Sequence, residues 1–320
     1  MSLILHSYKG ESPGFCYMIH KIVGYYLIAK KNLLDFYFQD DGFMYRHTDG
    51  WHDYFDSLSI YNASKQYENP LDLDIKNDSQ ISMFNIFSKD NFFTLKENKD
   101  ALCLLTKLNA RMNSLLEESL KNLQLEVGQF DSIFIRRGDK MFSESTYYDT
   151  EVYIDKLIEK GTSSIYVQTD DYAAFEELEE IIKNKYQNRI RICTLCPKTK
   201  RGTVTSISYK NIVLSDPTRI TDRVTEKNIN YIQSFKKNLI KSVEEFTSEE
   251  MKVHTEEMII GLELCCLSRY LVMDIQSNVS RYLYMKHNNI NNVISVDDLF
   301  RPALDTLINN GCMEFDLRRY

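Results

Sequence analysis

The second half of the sequence alternates short apolar segments with amphipathic repeats, and this alternation constrains the fold more than any other feature. Continuous apolar runs predict five strands, at Ser132–Arg136, Ser164–Thr169, Arg189–Thr194, Tyr270–Asp274 and Asn292–Val296. Apolar residues at helical spacing predict five helices, at Glu151–Lys160, Tyr172–Lys185, Ile229–Phe246, Glu249–Leu267 and Val279–His287. Alternating strands and helices form parallel, doubly wound sheets, so the predicted fold class is α/β.

The first half begins with a similar unit. Met1–Tyr8 predicts a strand, Lys9–Gly14 a loop and Phe15 onward a helix, and such a loop lies at the edge of a sheet where ligands bind. Residues 51–98 predict mixed short elements, and Ala101–Leu125 predicts one long helix with Gly128 as its stop. A chain of 320 residues exceeds the usual size of a single core. We therefore expect two domains, 1–128 and 129–320.

Charge and hydropathy exclude some classes of partner. The net charge of −7 argues against a nucleic-acid-binding protein, because binding to polyphosphate needs a basic face. No stretch is long and apolar enough to predict a membrane span, and the N-terminus lacks the features of a signal peptide. The expected location is the cytoplasm.

The seven cysteines are odd in number and scattered, which favours reduced thiols. Cys193 and Cys196 form a lone C-x-x-C pair. This pair is open to three interpretations: a redox pair, half of a zinc site, or two small buried residues at a strand end.

A cluster of charges ends the first predicted strand of the second half. The run Arg136–Lys140 holds three cations and one carboxylate at the sheet edge where phosphates bind. Arginine pairs with phosphate oxygens through two parallel bonds, and lysine adds a mobile charge. A diphosphate site is one interpretation, and a solvated turn in which Asp139 pairs with one arginine is the other.

The pattern Arg136-Arg137-x-Asp139-Lys140-x-x-x-Glu144 resembles the signature of α1,6-fucosyltransferases, their rhizobial Nod-factor relatives and, more distantly, protein O-fucosyltransferases. Three further segments resemble the same family in the same order. They are the strand 165–171 that ends in Thr-Asp-Asp, the segment 262–281 with its acidic helix and serine-containing loop, and the stretch 295–298. The resemblance covers roughly residues 131–299, and extends loosely to the Pro13-Gly14-Phe15 loop.

The resemblance implies a GT-B fold, in which two Rossmann-like domains face each other across a cleft. It also implies an inverting, metal-independent glycosyltransferase that moves fucose from GDP-fucose to a hydroxyl of a glycan or glycoconjugate. No metal and no cofactor other than the nucleotide-sugar co-substrate are expected.

The resemblance also assigns roles to individual residues. Arg136 and Arg137 contact the phosphates of the donor with help from Lys140, Arg136 also takes part in catalysis, and Glu144 is the catalytic base. The other expected donor-binding residues are Asp139, Asp170, Asp171, Glu263, Gln276, Ser277, Asn278, Gly14 and Phe15.

Several of these residues have alternative interpretations. Glu144 could be a surface carboxylate. Asp170 and Asp171 could bind a ribose, hold the basic cluster or cap the next helix. The basic loop of Lys198, Lys200 and Arg201 could approach the donor or be solvated.

Two departures from the family leave the donor base open. Phe134 stands where the family commonly has His, and Glu263 where it commonly has Asp, at positions associated with reading guanine. The alternatives are a transferase for another nucleotide-sugar, such as a xylose donor, and an inactive nucleotide-sugar-binding module. A phosphotransferase is disfavoured, because the sequence has neither a Gly-x-x-x-x-Gly-Lys-Ser/Thr loop nor a Gly-x-Gly-x-x-Gly motif.

Overall fold

The structure, a computed structural model, describes residues 2–6, 14–56, 58–60, 70–74, 93–142, 146–203, 226–238, 243–275 and 277–297. The chain divides into two compact units, with residues 1–113 in unit 1 and residues 114–298 in unit 2. The boundary after residue 113 lies on the N-terminal side of the boundary expected near Gly128.

Unit 1 contains a three-stranded parallel sheet in the order β2-β1-β3. Its strands are β1 (Ser2–His6), β2 (Asp35–Gln39) and β3 (Pro70–Asp74), and helix α1 (Phe15–Lys31) connects β1 to β2. A connecting helix is what two parallel neighbouring strands require. The predicted strand-loop-helix opening is therefore confirmed in its strand and its helix.

An aromatic cluster forms the core of unit 1 beside a 3-10 turn at Gly50–Asp53. The rings of Trp51 and Phe55 lie 4.8 Å apart, and those of Phe38 and Trp51 lie 5.8 Å apart and nearly perpendicular. All three side chains have no solvent exposure. An edge-to-face pair such as that of Phe38 and Trp51 stabilises a core beyond the area that the rings bury.

The single helix predicted at Ala101–Leu125 is wrong, because the structure has two helices there. Helix α2 (Leu95–Leu105) and helix α3 (Ala110–Asn122) are separated by residues 106–109, and α3 ends before Gly128. Asn109 donates its backbone N–H to the carbonyl of Tyr54, and its side chain accepts the N–H of Met112. Pairing with a distant segment and a new helix cap thus override the helical periodicity.

Unit 2 contains a five-stranded sheet in the order β6-β5-β4-β7-β8, and every neighbouring pair is parallel. The strands are β4 (Asp131–Ile135), β5 (Ser164–Thr169), β6 (Arg191–Cys193), β7 (Leu271–Met273) and β8 (Val293–Ser295). The helices are α4 (Thr150–Ile158), α5 (Tyr172–Tyr186), α6 (Glu226–Asn238), α7 (Ser248–Leu267) and α8 (Asn278–Lys286). The predicted α/β class and the five predicted strands are confirmed.

One predicted helix of unit 2 is wrong at its C-terminal end. The sequence predicted a continuous helix over Ile229–Phe246, whereas the structure describes α6 over Glu226–Asn238 and a 3-10 turn at Val243–Glu245, and residues 239–242 lie outside the described residues. The next helix, α7, then starts at a capping box in which Thr247 and Glu250 each bond to the other's backbone N–H.

Both faces of the unit 2 sheet are covered. Ile133 and Val167 point to the face that packs with α4 and α5, and the alternating positions Tyr166 and Gln168 point to the face that packs with α7. A Cβ on Gly261 would lie 2.0 Å from Oε1 of Gln168, so α7 approaches the sheet closely only because glycine is there.

The strand order reverses between β4 and β7. The chain proceeds from β4 through β5 to β6 on one side, and from β7 to β8 on the other. In open α/β sheets ligands bind at such a reversal, outside the carboxyl ends of the strands. The carboxyl ends of β4 and β7 therefore define where a ligand site of unit 2 is expected.

Candidate functional site

Arg136 directly follows β4, at the carboxyl edge of the sheet. Its guanidinium donates from NH1 to Asp170, which follows β5, and from NH2 to Oδ1 of Asp139 over 3.0 Å. The side chain is 13% exposed. A guanidinium has five N–H donors, and these two contacts fix its plane.

The Nε–H of Arg136 is buried and has no hydrogen-bond partner among the described residues. A buried donor without a partner costs free energy unless a ligand or water satisfies it. This observation marks Arg136 as a group with an unused donor for an acceptor such as a phosphate oxygen.

Gly138 turns the chain directly after the two arginines. Its φ is +67°, in the left-handed region that favours glycine, and a Cβ there would lie 2.7 Å from the carbonyl oxygen of Thr203. The neighbouring Asp139 is buried, and a 3-10 turn over Gly138–Phe142 carries the partly exposed Lys140. The turn brings Asp139 back onto Arg136.

Arg137 is 2% exposed and holds Glu177 through two parallel bonds of 2.8 and 2.6 Å. Its guanidinium also lies over the rings of Tyr147 and Tyr231, at 4.8 and 5.7 Å. Burial alone would lower the pKa of Arg137, but the hydrogen bonds and charge of Glu177 outweigh burial and raise that pKa. Because Arg137 is almost fully buried and directs both of its terminal nitrogens at Glu177, its phosphate contact stays a prediction.

Asp170 and Asp171 take two of the roles weighed for them. Asp170 accepts from Arg136 and, over 2.7 Å, from the backbone N–H of Arg137, and so holds the basic cluster. Asp171 caps α5 by accepting the N–H of Ala173 over 3.0 Å. A contact of either carboxylate with a ribose stays a prediction.

Helix α8 begins just after β7, on the other side of the strand reversal. The hydroxyl of Ser277 is buried and caps this helix by accepting the N–H of Ser280 over 3.0 Å. Asn278 accepts from Arg281 over 3.1 Å. The positive end of a helix dipole thus lies at the same edge as Arg136, which favours an anion there.

Glu263 on α7 is buried and bonded to a cation. Its Oε1 accepts from the ammonium of Lys286 and, over 3.2 Å, from the hydroxyl of Tyr282. Phe134, the other departure from the family pattern, is 4% exposed within β4. Recognition of guanine by Glu263 stays a prediction, and it would have to share the carboxylate with Lys286.

Of the four other predicted residues, two belong to unit 1 and two lie outside the residues that the structure describes. Gly14 starts α1 and is exposed, whereas the ring of Phe15 packs 5.1 Å from that of Tyr45 in the core of unit 1. Glu144 and Gln276 lie outside the residues that the structure describes.

Helix α7 carries two titratable groups, His254 and Glu257, that interact electrostatically with Lys200 and, in the case of His254, with Arg136 as well. His254 on α7 has its pKa lowered to about 3 by burial and by the charges of Lys200 and Arg136. Burial also lowers the pKa of Lys200 and raises that of Glu257. Lys200 had been weighed as a loop residue, but no motif marked His254 or Glu257, because their role depends on how α7 packs over the sheet.

The described helices include none that is long and apolar enough to cross a bilayer. The Cys193 and Cys196 thiols have their pKa raised to about 11 by burial, which makes both poor nucleophiles at neutral pH. This result favours the interpretation of the pair as small, partly buried residues.

No protein-family model matches the sequence, and no curated protein matches it significantly. Solved fucosyltransferase structures are similar to the chain. The α-1,6-fucosyltransferase NodZ soaked with GDP-fucose aligns with a TM-score of 0.47 and 8% identity, over 89% of this chain and 92% of that chain. The fucosyltransferase NodZ from Bradyrhizobium aligns over the same shares with a TM-score of 0.44 and 8% identity.

POFUT1 in complex with GDP aligns with a TM-score of 0.31 and 8% identity, over 61% of this chain and 48% of that chain. Each of these three similarities has a TM-score below 0.5 and a sequence identity of 8%.

Proposed function

We propose that unit 2 binds the diphosphate of a nucleotide-sugar donor and that the protein transfers the sugar to a glycan hydroxyl. The carrying observation is the position of Arg136 at the carboxyl end of β4, with a buried Nε–H that has no partner in the part of the chain that the structure describes. The N-terminus of α8 follows β7 on the other side of the strand reversal. A bound diphosphate between them would receive hydrogen bonds and positive potential from both sides.

In this proposal the transfer is an inverting single displacement. The acceptor hydroxyl attacks the anomeric carbon and gives its proton to Glu144, while the bond from that carbon to the diphosphate breaks and the nucleoside diphosphate leaves with the electron pair. Arg136 stabilises the charge that develops on the leaving group. Because Arg136 and Lys140 supply the positive charge, the proposal requires no metal.

GDP-fucose is the first donor to test, because the four motifs resemble a family that uses it. The pairing of Glu263 with Lys286 and the presence of Phe134 favour including donors with other bases and sugars. The test measures hydrolysis and transfer by the purified protein with GDP- and UDP-sugars, with and without EDTA. Absence of turnover with every donor would refute the enzyme proposal, and loss of turnover in EDTA would refute the metal-independent mechanism.

A second candidate is a nucleotide-sugar-binding module without catalysis. It is favoured by the bidentate pair of Arg137 with Glu177, which occupies one of the two arginines expected at the phosphates. Glu144→Gln separates the two candidates. A transferase should lose about 100-fold to 10,000-fold in kcat and still bind GDP in calorimetry, whereas a binding module should bind GDP without turnover before and after the change.

A further inference from the structure

The loop that follows β6 lies next to Arg136 at the carboxyl edge of the unit 2 sheet. The carbonyl oxygen of Lys200 accepts the backbone N–H of Tyr172 over 3.0 Å, and Gly202 donates its N–H to the carbonyl oxygen of Asp170 over 2.9 Å. The carboxylate of Asp170 in turn accepts from Arg136. These bonds fix the backbone around Lys200 beside the arginine that is proposed to contact the diphosphate.

Helix α7 reaches the same edge along one face of the sheet. Only residues 268–270 separate the end of α7 from the start of β7, so the helix runs antiparallel to the strands and begins on their carboxyl side. An added Cβ on Gly261 would touch the side chain of Gln168, near the end of β5. Glu257 and His254 precede Gly261 by one and two helical turns and lie on the same side of α7. His254 is therefore about 10 Å nearer to the start of the helix than Gly261, beyond the carboxyl end of β5.

Three basic side chains and one acid interact at this edge. Burial and the charges of Lys200 and Arg136 lower the pKa of His254 to about 3. The ring of Phe246 packs 5.4 Å from the imidazole. Burial and the charge of Arg136 also lower the pKa of Lys200, which Glu257 opposes only in part. Because burial raises the pKa of Glu257 and so disfavours its carboxylate, an anion would stabilise these basic groups.

The same side chains have the access and the donors that a ligand needs. Lys200, His254 and Glu257 are partly exposed. Within the described part of the chain, the ammonium of Lys200 forms no hydrogen bond or ion pair, and the buried Nε–H of Arg136 has no partner. Two cationic groups at this edge thus have unused donors, and phosphate oxygens are the acceptors that such groups bind most strongly.

We propose that Lys200 and His254 bind the diphosphate together with Arg136, and that His254 takes up one proton from solvent as the diphosphate binds. The inference rests on the donor-binding part of the proposed function, in which Arg136 contacts the phosphates. Without ligand, burial and the charges of Lys200 and Arg136 keep the imidazole neutral. The negative charge of a bound diphosphate reverses this balance, so the imidazole gains a proton and donates a charged hydrogen bond to a phosphate oxygen.

The contribution of Lys200 is tested with Lys200→Met, which keeps an unbranched side chain and loses the charge. We expect its Kd for GDP and for pyrophosphate to rise about tenfold to 100-fold in calorimetry, because a hydrogen bond from a charged group is lost. Lys200→Arg keeps the charge and should bind more tightly than Lys200→Met. The matched control is Lys183→Met, an exposed lysine in the last turn of α5, and its Kd should be unchanged. Equal Kd values in folded Lys200→Met and in the control would overturn the inference.

The uptake of a proton is tested with His254→Gln, which keeps a polar side chain but does not titrate. Its Kd for GDP is divided by that of the unchanged protein at pH 8 and at pH 6, so that the titration of GDP itself cancels. We expect this ratio to be about tenfold larger at pH 6, because linked uptake of one proton changes Kd by up to about tenfold for each pH unit. His52→Gln, a partly exposed histidine of unit 1, is the control and should give the same ratio at both pH values. A ratio for His254→Gln that does not change with pH would overturn the proton uptake.

Binding and turnover are measured separately, which distinguishes failure of the inference from failure of the proposed function. If the unchanged protein turns over no donor but the Lys200 and His254 variants change GDP binding as expected, the transferase proposal fails and the inference stands. If sugar is transferred and the folded variants bind GDP like the unchanged protein, the inference alone fails. Absence of binding of both GDP and pyrophosphate to the unchanged protein would overturn both.

Discussion

Arg136 combines a fixed orientation with a donor that has no partner among the described residues. Arg136→Lys keeps the charge but cannot bond Asp139 and Asp170 at once in the same plane. We expect its Kd for GDP to rise about tenfold, equivalent to about 1.4 kcal/mol, in isothermal calorimetry. The control is Arg189→Lys on the exposed surface, which should leave the Kd unchanged. An unchanged Kd in folded Arg136→Lys would remove Arg136 from the proposed phosphate grip.

His254 provides a prediction on pH. Its pKa is lowered from 6.5 to about 3 in the folded protein, so unfolding below pH 6.5 takes up a proton that the folded state does not hold. The stability that depends on neutral His254 is therefore complete above pH 6.5 and falls as the pH is lowered toward 3. His254→Gln removes this dependence.

The effect of His254 is measured by urea unfolding of both proteins near pH 8 and near pH 5. At about pH 5 the contribution of His254 should have fallen by up to about 2 kcal/mol, because each pKa unit corresponds to about 1.4 kcal/mol. The stability difference between the two proteins should shrink by that amount. A difference that is equal at both pH values would contradict the prediction.

At the residue scale, the sequence offered the pairing of Asp139 and Asp170 with the arginines only as one alternative among several. Arg136, Asp139 and Asp170 were all expected at one edge, and the structure brings them together. The same sequence did not indicate that Arg137 turns inward to Glu177. Glu177 lies in a helix with several other acids, and only the tertiary position of α5 selects it.

At the element scale, the turn after β4 depends on one glycine. Gly138→Ala places a side chain at a φ of +67° and within 2.7 Å of the backbone of Thr203. Gly128→Ala is the matched control, because Gly128 has a φ of +74° but nothing within 4 Å of an added Cβ. Both variants should lose about 1 kcal/mol in urea unfolding through the backbone conformation. The additional clash should make Gly138→Ala less stable than the control and weaken its binding of GDP. Equal stability and equal Kd for GDP in the two variants would exclude a role for this turn in GDP binding.

The elements themselves were predicted unevenly from the sequence. Strands that are buried on both faces of a parallel sheet have continuous apolar sequences. The bounds of β4 and β5 were therefore predicted nearly to the residue. The break between α2 and α3 was missed, because it is made by pairing of residues 107 and 109 with residues 54–56. The helical spacing of apolar residues cannot indicate such a contact, because the contact forms only when distant segments of the chain meet.

At the scale of the whole molecule, the residues assigned to the donor belong to both units, and the position of bound GDP can be tested for each unit. The carboxyl edge of the unit 2 sheet holds Arg136 and the start of α8, whereas Gly14 and Phe15 of unit 1 were assigned to the donor through resemblance alone. Ligand that binds only the folded protein slows local opening around its site. Hydrogen exchange with GDP at about 100 times its Kd, which stabilises by about 2.7 kcal/mol, should therefore protect residues 136–142 and 277–281. Protection that also includes residues 14–18 would support the assignment of Gly14 and Phe15. Protection confined to unit 1 would contradict the placement of the diphosphate at the strand reversal, because no charge of the proposed grip lies there.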